Sequence, residues 1–273
     1  MINKDTQLCI SIAEKPSNFG TTLHNMAYSA LNLNFIYKAF AIKDLRNAIN
    51  GVRALGIRGC SVSMPFKQTV INFLDDLDET AKSTGAVNTI VNDAGILTGY
   101  NTDLFGAKMV LASLAPQPNE RIMLLGAGGV SRAIFVALHQ LGCENILVSN
   151  RDFKKISFLS SIAPCQAIPW NEREDNLADI LINATSIGMF PVTKSMPVGV
   201  DFIKRARAVM DVVVSPIESD LISCARKAGK AVIPGYRMSL EQAIQQFLLY
   251  TGHEAPRDIM EEGVRRLLLE LPL

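Results

Sequence analysis

"LLGAGGVSRA", residues 124–133, decides how this chain is to be read. It completes the apolar run "RIMLL", 121–125, whose unbroken hydrophobicity suits a strand buried on both faces of a parallel sheet. Gly126, Gly128 and Gly129 then permit a tight turn into a helix, with no Cβ to keep a ligand from the backbone N–H groups. A helix to about Leu141 and a second strand, "NILVSN", follow. Together these elements form the unit that seats a dinucleotide pyrophosphate on a helix N-terminus, with Ala127 and Val130 in the same turn. Ser131 replaces the third glycine of G-x-G-x-x-G and is small enough to keep helix and sheet close.

The end of the second strand selects the dinucleotide. An acidic residue there would hold the ribose 2′-hydroxyl of NAD, whereas a guanidinium suits the 2′-phosphate of NADP. The chain has Asn150 and Arg151, with Lys154 and Lys155 close behind, so NADP is the expected cofactor. Asp152 is the neighbour that speaks for NAD, and the alternative to a cofactor site is a basic surface loop.

Upstream, "LCISIA", "FIYKAF" and "IRGCSVS" read as strands, alternating with helices in "TTLHNMAYSALN", capped by Thr21 or Thr22, and "IKDLRNAINGVRAL". Helical spacing from Pro65 to Phe73 precedes an acidic turn, "LDDLDETAK". "AVNTIVN" and "ILTGYN", joined by "DAG", have the look of a hairpin. This pattern predicts a largely parallel α/β sheet with one antiparallel piece. Downstream of the glycine turn come the strands "DILINA", "AVMDVVV" and "KAVIP" and the helix "DLISCARKAG". Two further helices close the chain, "LEQAIQQFLLYTG" capped by Ser239 and one opened by Pro256. In "SVSMPFKQTV", 61–70, Lys67 follows a strand that stops at Pro65 and on that ground alone is a solvated charge.

At 273 residues, 48% hydrophobic and 19% charged, the chain can bury the cores of two domains. A net charge of +1 without a basic run argues against nucleic acid or a membrane as partner. No secretory leader is visible, and no apolar run approaches the roughly 20 residues that span a bilayer. The cysteines at 9, 60, 143, 165 and 224 are scattered without a C-x-x-C pair, as expected of thiols in a reducing compartment, so a cytoplasmic protein is expected. His24, His139 and His253 lack metal-ligand spacing, so no metal is expected, and His24 reads as a packing residue. No heptad or interface stripe stands out, which leaves monomer and homodimer both open.

In order along the chain stand "SVSMPFKQTV", "TGAVNTIV", "GYNTD", "GAGGVSRA", "SNR", "NATSIGM" and "GYRMSLEQ". With these segments the chain resembles the shikimate dehydrogenase family over nearly its whole length. The resemblance implies a mixed α/β substrate domain over 1–103, a Rossmann-type NADP-binding domain over 104–236, and C-terminal helices, 237–273, that return to the first domain. The active site would then lie in the cleft between the domains. It further implies reversible, NADP-dependent oxidation of shikimate, or a related cyclic hydroxy acid, to 3-dehydroshikimate, a step of aromatic amino acid biosynthesis. By the same resemblance Lys67 is the active-site lysine and Asp103 its carboxylate partner. A lysine hydrogen-bonded to the reacting oxygen can stabilise a developing alkoxide and relay its proton. Ser63, Asn88 and Gln242 would bind substrate, while Thr185, Ser186 and Gly235 would join Asn150, Arg151, Lys155 and the glycine turn around the cofactor.

The departures from the family pattern gather on the substrate side. Asn18, Gly20 and Thr21 stand where the family offers Ser, Ser and Pro of S-x-S-P, its grip on the substrate carboxylate. Ser61-Val62-Ser63 replaces N-V-T, Val214 replaces the tyrosine of D-x-x-Y-x-P, and Arg237 in "GYRM" replaces a small glycine. Each lost bond to a charged group is worth on the order of 1.5–3 kcal/mol, so weak or shifted substrate use is expected. The alternatives are a non-catalytic NADP-binding redox sensor and another two-domain dehydrogenase acting on folate one-carbon units.

Overall fold

β1 (Gln7–Ala13) pairs in parallel with both β2 (Phe35–Ala41) and β3 (Gly59–Val62), and α1 (Phe19–Ala30) and α2 (Leu45–Ala54) make the crossovers. This is the geometry that a helix between parallel strands requires. Asp44 caps α2 by accepting from Asn47 N at 3.0 Å. α1 starts earlier than its threonines predict: Asn18 is the residue before its first turn, without a side-chain capping bond, and Thr21 and Thr22 lie inside the helix. Burial of Phe19 draws the helix start upstream.

After β3 the helical spacing resolves into a short 3₁₀ turn, Thr69–Phe73. The acidic stretch is not one turn but β4 (Asp76–Leu77) followed by α3 (Glu79–Thr84). Its carboxylates are spent on backbone N–H groups. Asp75 accepts from Leu97 N at 2.7 Å, and Asp78 caps α3 by accepting from Thr80 N at 2.8 Å. β5 (Thr89–Asp93) and β6 (Ile96–Tyr100) form the hairpin, turned by Ala94 and Gly95 at φ 52° and 93°. The sheet order is β2-β1-β3-β5-β6-β4, with β5 antiparallel to both neighbours.

A second sheet follows α4 (Thr102–Ala112), a helix whose apolar residues lie on all sides. Its strands are β7 (Ile122–Leu125), β8 (Ile146–Ser149), β9 (Gln166–Ile168), β10 (Ile180–Asn183), β11 (Ala208–Asp211) and β12 (Ala231–Ile233). They are all parallel, in the order β9-β8-β7-β10-β11-β12, so the direction of winding reverses between β7 and β10. The intervening helices are α5 (Gly129–Gln140), α6 (Ile156–Ile162), α7 (Val200–Arg205) and α8 (Asp220–Lys227). α9 (Gly235–Thr251) begins directly after β12, which places Ser239 inside the helix rather than at its cap. α10 (Arg257–Leu269) follows Pro256 and lays Gly263 against Leu23 of α1.

The computed structural model describes residues 2–269 and divides into two compact units. One runs to Thr102 and resumes at Gln242; the other spans Asp103–Glu241. Among the described residues, no helix is long and apolar enough to cross a membrane.

In the first unit α9 presses so closely on β3 that a Cβ at Gly59 would fall 2.3 Å from the Tyr250 ring. Tyr250 is fully buried and has nowhere to swing. Gly59→Ala should therefore cost about 1–3 kcal/mol by overpacking. Urea denaturation tests this, and in a Tyr250→Leu background the two losses should sum to less than their separate values.

Candidate active site

The second unit gathers its candidate residues where strands end and helices begin. Gly126 follows β7 at φ +111°, and a Cβ there would lie 2.7 Å from the Ala184 carbonyl and 2.9 Å from Ser131 Oγ. Only glycine fits. Ser131, fully buried on α5, donates from Oγ to Ala184 O at 3.5 Å, so the serine that replaces a glycine ties helix to sheet. Gly128 precedes α5 with no side-chain capping bond, and the space where its Cβ would be is open. No acidic residue stands in the first turn, Gly129–Ser131. Ala127 is buried within the turn and Val130 is half-buried beside it. Open N–H groups at the start of a twelve-residue helix, with no carboxylate to repel an anion, suit a diphosphate.

At the end of β8, Asn150 donates from Nδ2 to Asp152 O at 2.7 Å, which folds the strand end over. Arg151 is exposed and makes no ion pair among the described residues. Asp152, the residue that argued for NAD, lies 3.9 Å from Lys155 Nζ and so has a cation of its own. The basic side chains on this exposed loop can meet a phosphate that the ribose carries.

Beyond β10 a buried polar chain holds the "NATSIG" turn. Asn183 donates from Nδ2 to Asp211 Oδ1 at 3.0 Å and to Ile187 O at 3.2 Å. Its Oδ1 accepts from Thr185 N at 3.1 Å and Thr185 Oγ1 at 2.7 Å, and Thr185 Oγ1 accepts from Ile187 N at 3.1 Å. The Thr185 hydroxyl is thus spent on the turn, whereas Ser186 is exposed. Asp211, fully buried at the end of β11, also accepts from Val213 N at 3.1 Å and Ser219 Oγ at 2.6 Å. Ser219 in turn caps α8 by accepting from Ile222 N. Gly235 touches the same segment, where a Cβ would meet Val213 O at 2.4 Å. Asp211 and Ser219 were not singled out by the sequence; the signal was an acidic residue inside the apolar run "AVMDVVV".

In the first unit Asn88, just before β5, is 2% exposed and fully engaged. Its Oδ1 accepts from Thr102 N at 2.8 Å and Thr89 Oγ1 at 2.7 Å, and its Nδ2 donates to Thr102 Oγ1 at 3.0 Å. Gln242, half-buried on α9, brings Oε1 to 3.4 Å from Asn88 Nδ2 and 3.2 Å from Thr102 Oγ1. Two amides 154 residues apart therefore meet around one threonine. Ser63 follows β3, its N–H donating to Ile12 O at 2.9 Å. Lys67 is half-buried, and its carbonyl accepts from Val87 N at 2.7 Å, which joins the lysine segment to the one that carries Asn88. Asp103, 6% exposed, belongs to the second unit and stands in the first turn of α4, next in the chain to Thr102. Thr89, Thr102 and Gln246 are the residues here that sequence reasoning missed. His24 is stacked on Tyr37 at 4.5 Å and buried. Burial holds its imidazole neutral, the pKa lowered to about 4.

Two family models match the chain: the shikimate dehydrogenase substrate binding domain over residues 18–90 and shikimate / quinate 5-dehydrogenase over 107–228. A shikimate dehydrogenase-like protein of Haemophilus influenzae is 44% identical over 260 residues, covering 94% of this chain and 95% of that one. Among solved structures, a shikimate dehydrogenase in complex with NADP+ aligns with a TM-score of 0.89 and 31% identity over 98% of each chain. Quinate dehydrogenase from Corynebacterium glutamicum, in complex with NAD, aligns with a TM-score of 0.87 and 29% identity over 96% of this chain and 99% of that one.

Burial pushes the Asp211 carboxyl from its ordinary 3.8 up to about 6, against the hydrogen bonds it accepts from Ser219, Val213 and Asn183. Between those values the folded chain keeps a proton that the unfolded chain has released. The contribution of Asp211 to stability is therefore full below about pH 4 and falls as pH rises through about 6. The loss is on the order of 3 kcal/mol. Asp211→Asn should remove it, so the unfolding free energies of wild type and variant, measured in urea from pH 4 to pH 7, should diverge in the variant's favour. Parallel curves would refute the assignment.

Proposed function

Since the chain belongs to the shikimate dehydrogenase family, we propose that it is an NADP-dependent oxidoreductase acting on shikimate or a related cyclic hydroxy acid. The observation that carries this reading is the meeting of Asn88 and Gln242 around Thr102. Paired amides in one small polar cluster suit vicinal ring hydroxyls. NADP+, when bound, supplies the acceptor for the hydride that leaves the alcohol carbon.

The chain's own side chains supply the rest. In this reading Lys67 hydrogen-bonds the reacting oxygen, stabilises the developing alkoxide and, with Asp103, relays its proton away as the ketone forms. Asp103 is the carboxylate that serves it, Ser63 lends a hydroxyl, and the amides fix which ring hydroxyl faces the lysine. The N-terminus of α5 carries the diphosphate, and Arg151, Asn150 and Lys155 meet the 2′-phosphate. Thr185 shapes the turn that brings Ser186 and the backbone to the cofactor, and Gly235 leaves room at the start of α9.

The substrate's acidic group is met differently from the family pattern. At Gly20 a Cβ would lie 3.1 Å from the Tyr37 hydroxyl, so the tyrosine crowds the place of the second family serine. Arg237 is exposed and makes no ion pair among the described residues. These changes favour a shifted acid over shikimate as the best substrate.

Initial rates of NADP+ reduction with shikimate and with quinate test the reading. Lys67→Ala should lower kcat roughly 10²–10⁴-fold. Arg151→Ala should raise KM for NADP+ by roughly tenfold or more, with little change for NAD+. If NADP+ binds and neither acid is turned over, catalysis on these two substrates is excluded, and another cyclic acid or a redox-sensing role takes their place.

A further inference from the structure

Gln246 lies on α9 one turn beyond Gln242 and is 1% exposed. Its Nε2 donates to Thr89 Oγ1 at 2.8 Å and reaches Ser61 Oγ at 3.2 Å and the Asn88 carbonyl at 3.4 Å. Burying so long a polar side chain is costly unless its donors are used, and here β3 and β5 use them. Ser61 has no amide of its own; Gln246 brings one to it from 185 residues along the chain.

The consequence is directional. A hydroxyl that accepts from an amide N–H turns its own proton elsewhere, and Thr89 Oγ1 donates to Asn88 Oδ1 at 2.7 Å. The Thr102 backbone N–H donates to the same oxygen at 2.8 Å. With two donors on Oδ1, the Asn88 amide has one sense, and its Nδ2 faces Thr102 Oγ1 and Gln242 Oε1.

We infer that Gln246 is a positioning residue of the substrate site, which fixes the sense of the Asn88 amide through Thr89. The Asn88 N–H groups then hold Thr102 Oγ1 and Gln242 Oε1, which sets the way Gln242 is turned toward a hydroxyl or carbonyl of the substrate. The inference rests on the proposed role of Asn88 in binding substrate. The hydrogen-bond relay itself does not depend on it.

The titratable groups around Gln246 stay neutral from about pH 5 to pH 9. His24 on α1 is held neutral by burial, its pKa lowered to about 4. Cys9 on β1 is pushed up to about 12, and Tyr37 on β2, Cys60 on β3 and Tyr250 on α9 are all raised by burial. Arg58 donates from Nε to Tyr250 O at 2.9 Å, one turn further along α9. His24 also hydrogen-bonds Gln246, so a carboxyl placed at 246 favours the imidazolium beside it, and the two titrate as a pair.

Gln246→Glu keeps the shape and loses the N–H donor when ionised. In the ligand-free protein, the Asn88 side-chain amide signals in a ¹⁵N NMR spectrum, identified by their loss in Asn88→Asp, should titrate with the new carboxyl. In wild type they should stay fixed over the same range. With shikimate as substrate, KM in this variant should rise fivefold or more from the acid to the alkaline side relative to wild type, while kcat and the Kd for NADP+ stay within twofold. Thr89→Val cuts the relay at its next link without changing its shape, and should give the same rise in KM at all pH values. Asn88 signals that do not titrate, a KM change below fivefold in Thr89→Val, or a loss of kcat and NADP+ binding together with KM would overturn the inference. Absence of turnover in wild type would sink the proposed substrate and leave the NMR result to decide the relay.

Discussion

An amide taken out of water costs several kilocalories per mole unless both its ends are paired, and that requirement shapes the functional edge of each unit. Asn88 and Asn183 both meet it, at 2% and 0% exposure. Each spends its Oδ1 on a backbone N–H and a threonine hydroxyl, and each turns Nδ2 toward a second segment of chain. In the first unit that segment is α9, and in the second it is the end of β11. Loops that would otherwise be held by their sequence neighbours alone are thereby fixed to elements far along the chain.

The second unit adds a constraint of space to the constraint of pairing. Gly126 brings the backbone after β7 to within contact of the Ala184 carbonyl, and Gly235 does the same for Val213. The "NATSIG" turn is therefore fixed from below by Asp211 and beside its start by the glycine turn. Ser131 shows how a departure from the glycine pattern is absorbed. Its hydroxyl faces Ala184 O, so a residue larger than glycine still serves the same helix–strand contact.

The parts legible in the sequence are those whose cause is local. An apolar run followed by glycines forced β7, its turn and α5, and the hairpin of β5 and β6 followed from "DAG" between two strand patterns. Pro256 marked a helix start correctly because its fixed φ suits a first turn, whereas the Asp44 cap of α2 was not singled out. Thr21 and Ser239 misled for a physical reason: burial of Phe19 and the approach of Gly235 to Val213 extend α1 and α9 past them. α4 carried no readable stripe because its apolar side chains surround it. Lys67, Asp103, Asn88 and Gln242 came from resemblance, not from spacing. Thr89, Thr102 and Gln246 were invisible because their meaning lies in partners more than a hundred residues away or in a register that only the folded sheet creates.

The same distinction separates chemistry from recognition in the proposed enzyme. In that proposal the lysine and the carboxylate act on one bond, and any cyclic alcohol of similar shape would present that bond to them in the same way. Recognition is spread over many contacts, each worth about 1–3 kcal/mol, and can drift one residue at a time. Gly20 and Ser61 are steps of that kind: a side chain lost at one is met by the Tyr37 hydroxyl, and an amide supplied to the other comes from Gln246. Because Gln246 and Thr89 keep Asn88 turned one way, such drift can change which acid is gripped without changing which oxygen is offered for oxidation. On the proposed roles, a retained catalytic pair beside an altered carboxylate grip is a stable arrangement, since the elements proposed to orient the reacting ring are not those proposed to hold its acidic group.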